Sequence, residues 1–499
     1  MDQEKLNYKE LRLNHKNLNI LLDSENLLAR AFIEQTSITL EGVDYPIFKK
    51  SGGAYYRFNN KTRLWREMKS EETLTNYIQI WLEEEINSTL LFVPKEADLT
   101  DTDKKIIKEI KGKKKHLIQF NLSNRIKQSM TYLIEDDEFI EKLDVSHPDW
   151  LPIESNLMIN LQTKEQRQRM ITDYCTSFCP VNQTVISSYF RTTMSNIMCG
   201  KQDHIEYLQK ILGYCLTGSK EAQSYFIWWG KGGNGKSLII GLLEKVLTKV
   251  LGGPVDKRIV ANMNSKASFG PEMMSLKGKR FGSFEETNTA DTLNEGLLKS
   301  ISGSNKIAAR GLYKDQVEFE LFIKLIIATN FKPSFDGCDV GTTRRIKLLP
   351  FNARFCTDPK GPNQYLIDSE LETRLHQPSY LNEFFSWCLE GAGMWYKDKL
   401  FNNIPKDIKD NQDQYIRDQN SFLTWCNESL EAKVDGKLLR SAAWMSYSKY
   451  LEDTGLKGLS KKDFFAKMSD EITQAVKSHG SFIFKDYQLK EESPSDFVE

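Results

Sequence analysis

The sequence predicts an α/β protein whose central region is flanked by helical segments. Between residues 221 and 350, short apolar runs typical of buried strands alternate with helical segments, which indicates an α/β core. Residues 117–220 and the segment after residue 355 have mainly helical periodicity. Residues 419–499 combine candidate helices with short candidate strands, which predicts a small separate domain.

Composition excludes several classes of protein. Lys and Arg total 68 and Asp and Glu total 68, so the formal net charge is zero and bulk charge cannot hold a nucleic acid. No apolar run reaches the roughly 18 residues of a membrane helix and the amino terminus is polar, so we expect an intracellular protein with no membrane partner. The eight cysteines are scattered, which predicts buried reduced thiols rather than a zinc site.

Two features lie in residues 1–116, a region to which the sequence assigns no role. Residues 55–65 predict a β-hairpin, because two alternating aromatic arms flank an Asn-Asn turn. Residues 104–116 carry seven lysines against the single Glu109, and they are either a solvated helix face or a contact for a nucleic-acid backbone. The Asp-Thr-Asp at 101–103 opens this lysine-rich helix and is interpreted as its amino-terminal cap.

The strongest motif follows a candidate strand at residues 225–229. The next eight residues have the G-x-x-x-x-G-K-[ST] pattern of a P-loop, and a helix with an apolar stripe is predicted at 238–251. Glycines let backbone N–H groups converge on phosphate oxygens, and the helix amino terminus adds partial positive charge. We therefore expect an ATP site. Its binding residues are Gly230, Lys231, Gly232, Gly233, Asn234, Gly235, Lys236 and Ser237.

Hydrolysis also needs a carboxylate near Mg²⁺ and groups that orient the attacking water. A short apolar strand ends in two adjacent acids, of which we assign Glu285, together with Ser237, to the metal and Glu286 to water activation. A second apolar strand ends in Asn330, whose amide can sense the γ-phosphate and position water. An arginine at 344 or 345 could stabilise transition-state charge as a finger inserted from a neighbouring subunit.

Together these elements resemble the superfamily 3 helicases, a compact AAA+ branch of small viruses, phages and plasmids. The P-loop is most similar to that of the phage/plasmid primase–helicase family, which includes the poxvirus-type primase–helicases. Residues 207–218 resemble the segment before the family's P-loop, and residues 298–314 resemble its motif between the acids and the Asn strand. The resemblance covers roughly residues 140–490 and is specific in the 225–350 core.

The resemblance implies an AAA+ ATPase core that uses ATP and Mg²⁺, with Glu285 and Glu286 as its acid pair and Asn330 as its sensor. Arg345 is preferred as the finger because it directly precedes a strand, and Arg344 is the alternative.

In this superfamily a β-hairpin before the sensor strand grips DNA in the channel of a hexamer. Here that hairpin runs from Arg310 to Gln316, with Tyr313 and Lys314 near its tip. Six copies of one lysine form a cationic ring that tracks phosphates whatever the net charge. Lys299 and Arg310 contact DNA, the nucleotide or the neighbouring subunit.

The carboxy-terminal piece has a winged-helix pattern, as in the family. Three helices are predicted at 421–426, 447–451 and 459–468, with Ser460 as the cap of the last, and two strands at 481–484 and 487–489. The lysines of the third helix touch DNA, or the domain docks a protein; both interpretations stay open.

The predicted organisation has five parts. They are an unassigned amino-terminal domain (1–116), a helical collar or oligomerisation region (117–220), a superfamily 3 AAA+ core (221–355), a helical lid and linker (356–418) and a winged-helix-like domain (419–499). Relatives are often fused to an archaeo-eukaryotic-type primase. Because the only Asp-x-Asp is interpreted as a helix cap, we expect a helicase without its own primase.

Three functions fit these residues. The first is an ATP-dependent DNA helicase of a virus, phage or plasmid-like element, a homo-hexameric ring that translocates on single-stranded and forked DNA beside a separate primase or polymerase. The second is an ATP-switched origin-binding initiator without processive unwinding. The third is an AAA+ protein remodeller, for which Tyr313 is the candidate pore residue. The acid, sensor and finger residues favour hydrolysis over a static switch, and the Lys314 hairpin favours DNA.

Overall fold

A computed structural model provides the structure of the protein. It describes residues 24–490 apart from 70, 92–98, 118–119, 262–270, 286–291, 311–315, 334, 336–339, 400, 402, 420, 456–457 and 479–480. The four largest clusters of buried hydrophobic residues lie in the amino-terminal part, on each face of a central sheet and near the carboxyl end.

The N-terminal unit comprises residues 24–145. Its helices are α1 (Glu25–Thr36), α2 (Glu71–Leu91), α3 (Asp101–Leu117), α4 (Phe120–Ile134) and α5 (Phe139–Lys142). Its strands are β1 (Ile38–Leu40), β2 (Val43–Tyr45), β3 (Phe48–Ser51), β4 (Ala54–Asn59) and β5 (Leu64–Glu67). The predicted hairpin is confirmed, since β4 and β5 are antiparallel and Phe58 pairs with Trp65. The expected boundary at 116 falls inside α3, and α3 and α4 both pack on α2.

A small antiparallel sheet follows, where the sequence predicted mainly helix. It contains β6 (Trp150–Ile153), β7 (Leu157–Asn160) and β8 (Gln166–Gln168). Strands of three or four residues show too little alternation to be detected, although Leu151 and Ile159 are fully buried. Two helices complete this region, α6 (Ser188–Ile197) and α7 (Gln202–Leu216). The second contains the helix predicted at 203–214.

The core contains a five-stranded sheet and a β-hairpin. Its strands are β9 (Tyr225–Trp229), β10 (Gly252–Pro254), β11 (Phe281–Glu285), β12 (Lys306–Arg310), β13 (Gln316–Glu320), β14 (Lys324–Thr329) and β15 (Ile346–Pro350). Its helices are α8 (Lys236–Leu251), α9 (Lys257–Val260), α10 (Pro271–Met274), α11 (Glu295–Gly303) and α12 (Val340–Thr343).

The sheet has the order β10-β11-β14-β9-β15, and all its neighbouring strands are parallel. Strand β9 is apolar throughout because both of its faces are buried. Phe226 and Trp228 belong to the cluster on the face covered by α7 and α8, and Tyr225 and Ile227 belong to the cluster on the opposite face. A parallel strand that is buried on both faces gives a continuous hydrophobic run.

The predicted hairpin before the sensor strand is present as the antiparallel pair β12 and β13. Lys306, Ala308 and Arg310 are exposed on one side of β12, and Ile307 and Ala309 are buried on the other. The tip, with Tyr313 and Lys314, lies outside the described residues. Helix α5 packs against both β13 and β3, so the N-terminal unit is attached to the core at this hairpin.

Beyond the sheet lie β16 (Arg354–Cys356), β17 (Gln364–Leu366), α13 (Leu371–Arg374), α14 (Pro378–Asp398) and α15 (Lys406–Gln419). Helices α7 and α14 cross closely, since a Cβ added at Gly213 would lie 2.0 Å from the backbone nitrogen of Ala392. The sequence predicted a linker before residue 418, and this prediction is wrong because residues 406–419 form helix α15. Ile408 and Tyr415 of this polar helix are fully buried.

The carboxy-terminal domain comprises residues 421–490. Its elements are α16 (Ser421–Ser429), β18 (Leu430–Leu439), α17 (Arg440–Thr454), α18 (Lys461–Lys467), a π-helical turn (Met468–Ile472), β19 (Ala475–Ser478) and β20 (Ser481–Leu489). Ser460 caps α18 as predicted, because its Oγ accepts a hydrogen bond from the Asp463 backbone N–H at 3.2 Å.

Three details of this domain differ from the prediction. The two strands expected at 481–489 are the single strand β20, and neither β18 nor β19 was predicted. Strand β18 is mostly exposed and its pairing with β20 shifts register between Ala432 and Lys437, so it lacks a regular apolar pattern.

Two findings concern the composition. In the described part of the chain, no helix is long and apolar enough to cross a membrane. The described cysteines all have free thiols, and five of them are buried.

Candidate nucleotide site

Polar residues from three neighbouring strands meet at the carboxyl edge of the central sheet. The P-loop joins β9 to α8, Glu285 ends β11 and Asn330 follows β14. Because the strand order is β11-β14-β9 and all three run parallel, their carboxyl ends lie side by side. The structure thus brings together Lys236, Ser237, Glu285 and Asn330, as the sequence predicted.

The P-loop needs its glycines for two reasons. Gly233 and Gly235 have φ values of 73° and 89°, a region that side chains with a Cβ rarely adopt. A Cβ at Gly230 would lie 2.3 Å from the carbonyl oxygen of Phe351. Asn234 is buried and its Nδ2 donates to the carbonyls of Lys231, at 2.8 Å, and Phe351, at 3.2 Å. Asn234 therefore anchors the loop, while Lys231 and Gly232 are exposed.

Lys236 is held at the wall of a cavity and is only 6% exposed. Its Nζ donates to the carbonyl of Gly230 at 2.6 Å, to Asn234 Oδ1 at 3.2 Å and to Asn330 Oδ1 at 3.4 Å. Burial lowers the pKa of Lys236 to about 8, and the nearby Glu285 opposes this shift. A desolvated cation surrounded by neutral oxygens gains from an incoming anion such as phosphate.

Ser237 and Glu285 form a pair of oxygen ligands beside this lysine. The Ser237 hydroxyl donates to Glu285 Oε2 at 2.5 Å. Mg²⁺ prefers oxygen ligands and is commonly held by one or two protein groups together with phosphates and water. The two residues therefore fit a magnesium ion. Glu286 lies outside the described residues.

The cavity beside the P-loop has a volume of about 810 Å³, within the range of small-molecule sites. Its walls include groups that no sequence motif had indicated. These are Thr193, Asn196, Ile197, Phe355, Leu366, Ile367, Asp368 and Leu371. They come from α6 and from the segment that runs from β16 to the start of α13, which tertiary packing brings to the P-loop. No spacing signal in the sequence marks them.

The two arginines lie at the opposite, amino edge of the sheet. They directly precede β15, whose first residue, Ile346, pairs with Tyr225 at the start of β9. The P-loop begins after Trp229 at the other end of β9. At about 3.3 Å per strand residue, roughly 15 Å separates the arginines from the P-loop. Neither arginine lines the cavity.

Their side chains have different surroundings. Arg344 is exposed, and its Nη2 donates to Gln223 Oε1 at 2.9 Å. Arg345 is half-buried, and its Nη1 donates to the carbonyl of Gly341 at 2.7 Å, within the same loop. Arg344 is therefore the more accessible of the two.

Arg310 and Lys299, the two predicted DNA-contact residues that the structure describes, do not line the cavity either. Arg310 is exposed at the end of β12. Lys299 lies on α11, and its Nζ is 3.8 Å from Glu295 Oε2.

Three further cations are buried at the amino edge of the sheet. They bind backbone carbonyls instead of lining the cavity. Arg280 donates to the carbonyls of His147 (3.1 Å), Pro148 (3.2 Å), Trp150 (2.6 Å) and Leu216 (2.7 Å). Lys324 donates to the carbonyls of Thr217 and Phe322, and Lys220 donates to those of Ile301 and Ser304. Burial lowers the pKa of Lys220 to about 7.

Comparison with known proteins relates the chain to viral proteins. Residues 228–345 match a family of unknown function, DUF5906. A putative helicase of Acanthamoeba polyphaga mimivirus is 28% identical over 434 residues, which cover 83% of this chain and 44% of the relative. A putative primase of African swine fever virus is 23% identical over 394 residues, which cover 72% of this chain and 40% of the relative.

Among solved structures, the apo form of the NrS-1 C-terminal region has a TM-score of 0.44 and 13% identity, covering 87% of this chain and 93% of that chain. The chain spans less than half the length of the two curated relatives above. The resemblance to viral primase–helicases is confirmed by sequence, since the homologues are putative helicases and primases of large DNA viruses.

Proposed function

We propose that this protein is an ATP hydrolase that drives DNA unwinding in the replication of a large DNA virus or a related element. The observation that carries the proposal is the convergence of Lys236, Ser237, Glu285 and Asn330 on one cavity. A Gly-rich loop, a buried lysine, an oxygen pair for a metal and a terminal amide are the parts that phosphoryl transfer from ATP requires. The names of the viral relatives support the helicase class.

Binding begins with the phosphates. Backbone N–H groups of the P-loop and the amino terminus of α8 attract them. The Nζ of Lys236 leaves the Gly230 carbonyl and pairs with the β- and γ-phosphates, which raises its pKa back towards the ordinary value. Asn330, whose Oδ1 is 3.4 Å from Lys236 Nζ, is placed to contact the γ-phosphate and to orient the attacking water.

Ser237 and Glu285 are the residues that would hold a magnesium ion. The ion supplies positive charge that neutralises the charge developing on the transferred phosphoryl group. Glu286 is proposed to accept the proton of the attacking water.

The arginine finger is proposed to come from a neighbouring subunit. Roughly 15 Å separates Arg344 and Arg345 from their own P-loop, which is beyond the reach of an arginine side chain. The exposure of Arg344 favours it as the finger, although Arg345 was preferred from the sequence. A ring of subunits, proposed as a homo-hexamer, places each finger at the next cavity.

The DNA contact is proposed to be the hairpin of β12 and β13. Arg310 at the end of β12, Lys314 and Tyr313 at the tip, and Lys299 on α11 are the candidate contact residues. A ring presents six copies of this hairpin to a single strand, and a separate primase or polymerase is the proposed replication partner. The AAA+ superfamily 3 assignment and the five-part division of the chain are part of the same proposal.

The proposal is tested with a forked DNA and ATP. Wild type is expected to hydrolyse ATP and unwind the fork, and Lys314→Ala is expected to hydrolyse ATP without unwinding. Lys306→Ala is the matched control, because Lys306 is an exposed lysine at the base of the same hairpin. ATP hydrolysis by wild type without any unwinding would reject the helicase function. Equal unwinding by the two variants would reject the hairpin assignment.

The finger is tested by mixing subunits. Lys236→Ala and Arg344→Ala are each expected to be inactive alone, and their mixture is expected to recover part of the ATPase rate. An interface that combines the P-loop of an Arg344→Ala subunit with the finger of a Lys236→Ala subunit is then intact. Recovery in the Arg345→Ala mixture alone would assign the finger to Arg345, and no recovery in any mixture would reject a finger acting between subunits.

A further inference from the structure

Helix α3 of the N-terminal unit is firmly capped. The Asp103 carboxylate accepts hydrogen bonds from the Thr100 backbone N–H, at 3.1 Å, and from its hydroxyl, at 2.6 Å. The Asp103 backbone N–H donates to Thr100 Oγ1 at 3.2 Å. Thr100 and Asp103 thus form a capping box. The cap was predicted at residues 101–103, and the capping hydroxyl is that of Thr100, one residue earlier. This carboxylate is buried and engaged in the cap.

The two sides of α3 differ sharply in polarity. Ile107 and Ile110 are buried in the core of the N-terminal unit. The cationic face, defined as Lys104, Lys105, Lys108 and Lys111, is exposed. In the described part of the chain, no ion pair involves any of these four lysines. At 1.5 Å rise per residue, their side chains emerge over about 10 Å of helix.

This face has no apolar component. Every exposed residue in the described part of α3 is polar, charged or glycine. A helix that binds a membrane surface needs an apolar face to bury between the lipids, and the isoleucines of α3 are already used inside the protein. A row of closely spaced cations without apolar neighbours instead matches a row of phosphates.

The position of the N-terminal unit also favours a contact with nucleic acid. Helix α5 of this unit packs on β13, so the unit is fixed to the hairpin that the proposed function assigns to DNA. We propose that the cationic face of α3 binds the phosphate backbone of DNA without sequence preference, as a second contact beside the hairpin. The inference rests on the proposed function for the identity of the nucleic acid.

The experiment compares two variants with equal loss of charge in the full chain. The first replaces Lys104, Lys105, Lys108 and Lys111 by Gln. The control replaces Lys61, Lys249, Lys397 and Lys406 by Gln, because these lysines are exposed but scattered over the protein. Affinity for a fluorescent oligothymidylate is measured by anisotropy between 50 and 300 mM salt. Equal melting temperatures establish that both variants are folded.

The face variant is expected to lose at least tenfold in affinity at 50 mM salt. Its slope of log affinity against log salt is expected to fall by about 3, since each phosphate contact with a single strand contributes about 0.7. The control is expected to match wild type. Equal affinity and slope in the two variants would overturn the proposal. So would binding of wild type to phosphatidylserine vesicles that only the face variant loses, combined with unchanged DNA affinity.

The result is separable from that of the helicase test. If wild type does not unwind DNA but the face variant alone loses DNA affinity, the helicase function fails and the α3 contact stands. If wild type unwinds and the face variant binds DNA normally, only the α3 contact fails.

Discussion

The two edges of the central sheet use buried cations in different ways. At the carboxyl edge, Lys236 lies beside a cavity, with Ser237 and Glu285 next to it. At the amino edge, Lys220 and Lys324 are buried against backbone carbonyls and do not line that cavity. Burial lowers the pKa of Lys236 to about 8 and that of Lys220 to about 7. Burial of a lysine therefore does not by itself indicate a binding site. Lys236 is a candidate binding residue because it also lines a cavity.

The two edges differ in the groups that replace water around each buried cation. The amino-edge cations have backbone carbonyls as partners and do not line the cavity, so they join segments of the fold together. An open cavity leaves room for a partner that comes and goes. The carboxyl edge is accordingly expected to be sensitive in activity, and the amino edge in stability.

The largest effect is expected from Lys236→Ala. Under the proposed function, loss of the cation that pairs with the β- and γ-phosphates is expected to lower kcat for ATP by about 100- to 1,000-fold, the range found for a single electrostatic group in an active site. Steady-state ATPase assays measure it. The fold is expected to persist, because the substitution removes a buried charge.

Lys324→Met is the control for this prediction on the amino edge. It is expected to lower the melting temperature and to leave kcat per folded molecule unchanged. Loss of ATPase activity in a Lys324→Met protein of normal stability would contradict the contrast between the edges.

The second effect concerns Arg280, whose guanidinium satisfies four carbonyl oxygens at the amino edge. Arg280→Met is expected to lower the free energy of unfolding by at least about 3 kcal/mol, because each orphaned buried acceptor costs about 1–3 kcal/mol. Urea denaturation measures this loss. Arg258→Met, which removes exposed ion pairs with Asp256 and Glu272, is the control and is expected to cost much less. Equal losses would show that Arg280 contributes no more than a surface residue.

The smallest effect is a pH dependence, in which stability increases with pH while ATP binding weakens. The pKa of Lys236 is about 8 in the folded protein against an ordinary value of 10.5. Between these values the unfolded chain keeps a proton that the folded chain has lost, so the ATP-free protein gains stability as pH rises from 8 to 10.5. Binding has the opposite trend, because only the protonated lysine pairs with phosphate. The KM for ATP is expected to rise by up to tenfold per pH unit above 8.

Melting temperatures of the ATP-free protein and KM values between pH 7 and 10 test both signs. In Lys236→Met the dependence of KM is expected to disappear and the gain in stability to be smaller. A KM that stays constant to pH 10 in wild type would show that Lys236 does not titrate in this range.

The sequence was most informative where function depends on contiguous residues. The P-loop is one uninterrupted motif between a strand and a helix. Glu285 and Asn330 were recognised because a polar residue at the end of an apolar strand is a local pattern, and parallel pairing then brings the strand ends together.

The rest depends on contacts that no local pattern encodes. Asn196 and Asp368 line the cavity because helix packing brings distant segments to the P-loop. Helix α15 was expected as a linker because most of its residues are polar. Only widely spaced positions such as Ile408 and Tyr415 are buried in it. Strands β6–β8 were missed because they are short, and β18 because it is largely exposed.

The separation of the arginines from the P-loop has a kinetic consequence. Under the proposed function, an isolated subunit binds ATP but lacks the group that completes catalysis, so it holds the nucleotide without turning it over. Hydrolysis per subunit then increases with protein concentration and levels off once the rings are complete. Dilution alone switches such an enzyme off, and turnover becomes confined to places where many copies accumulate.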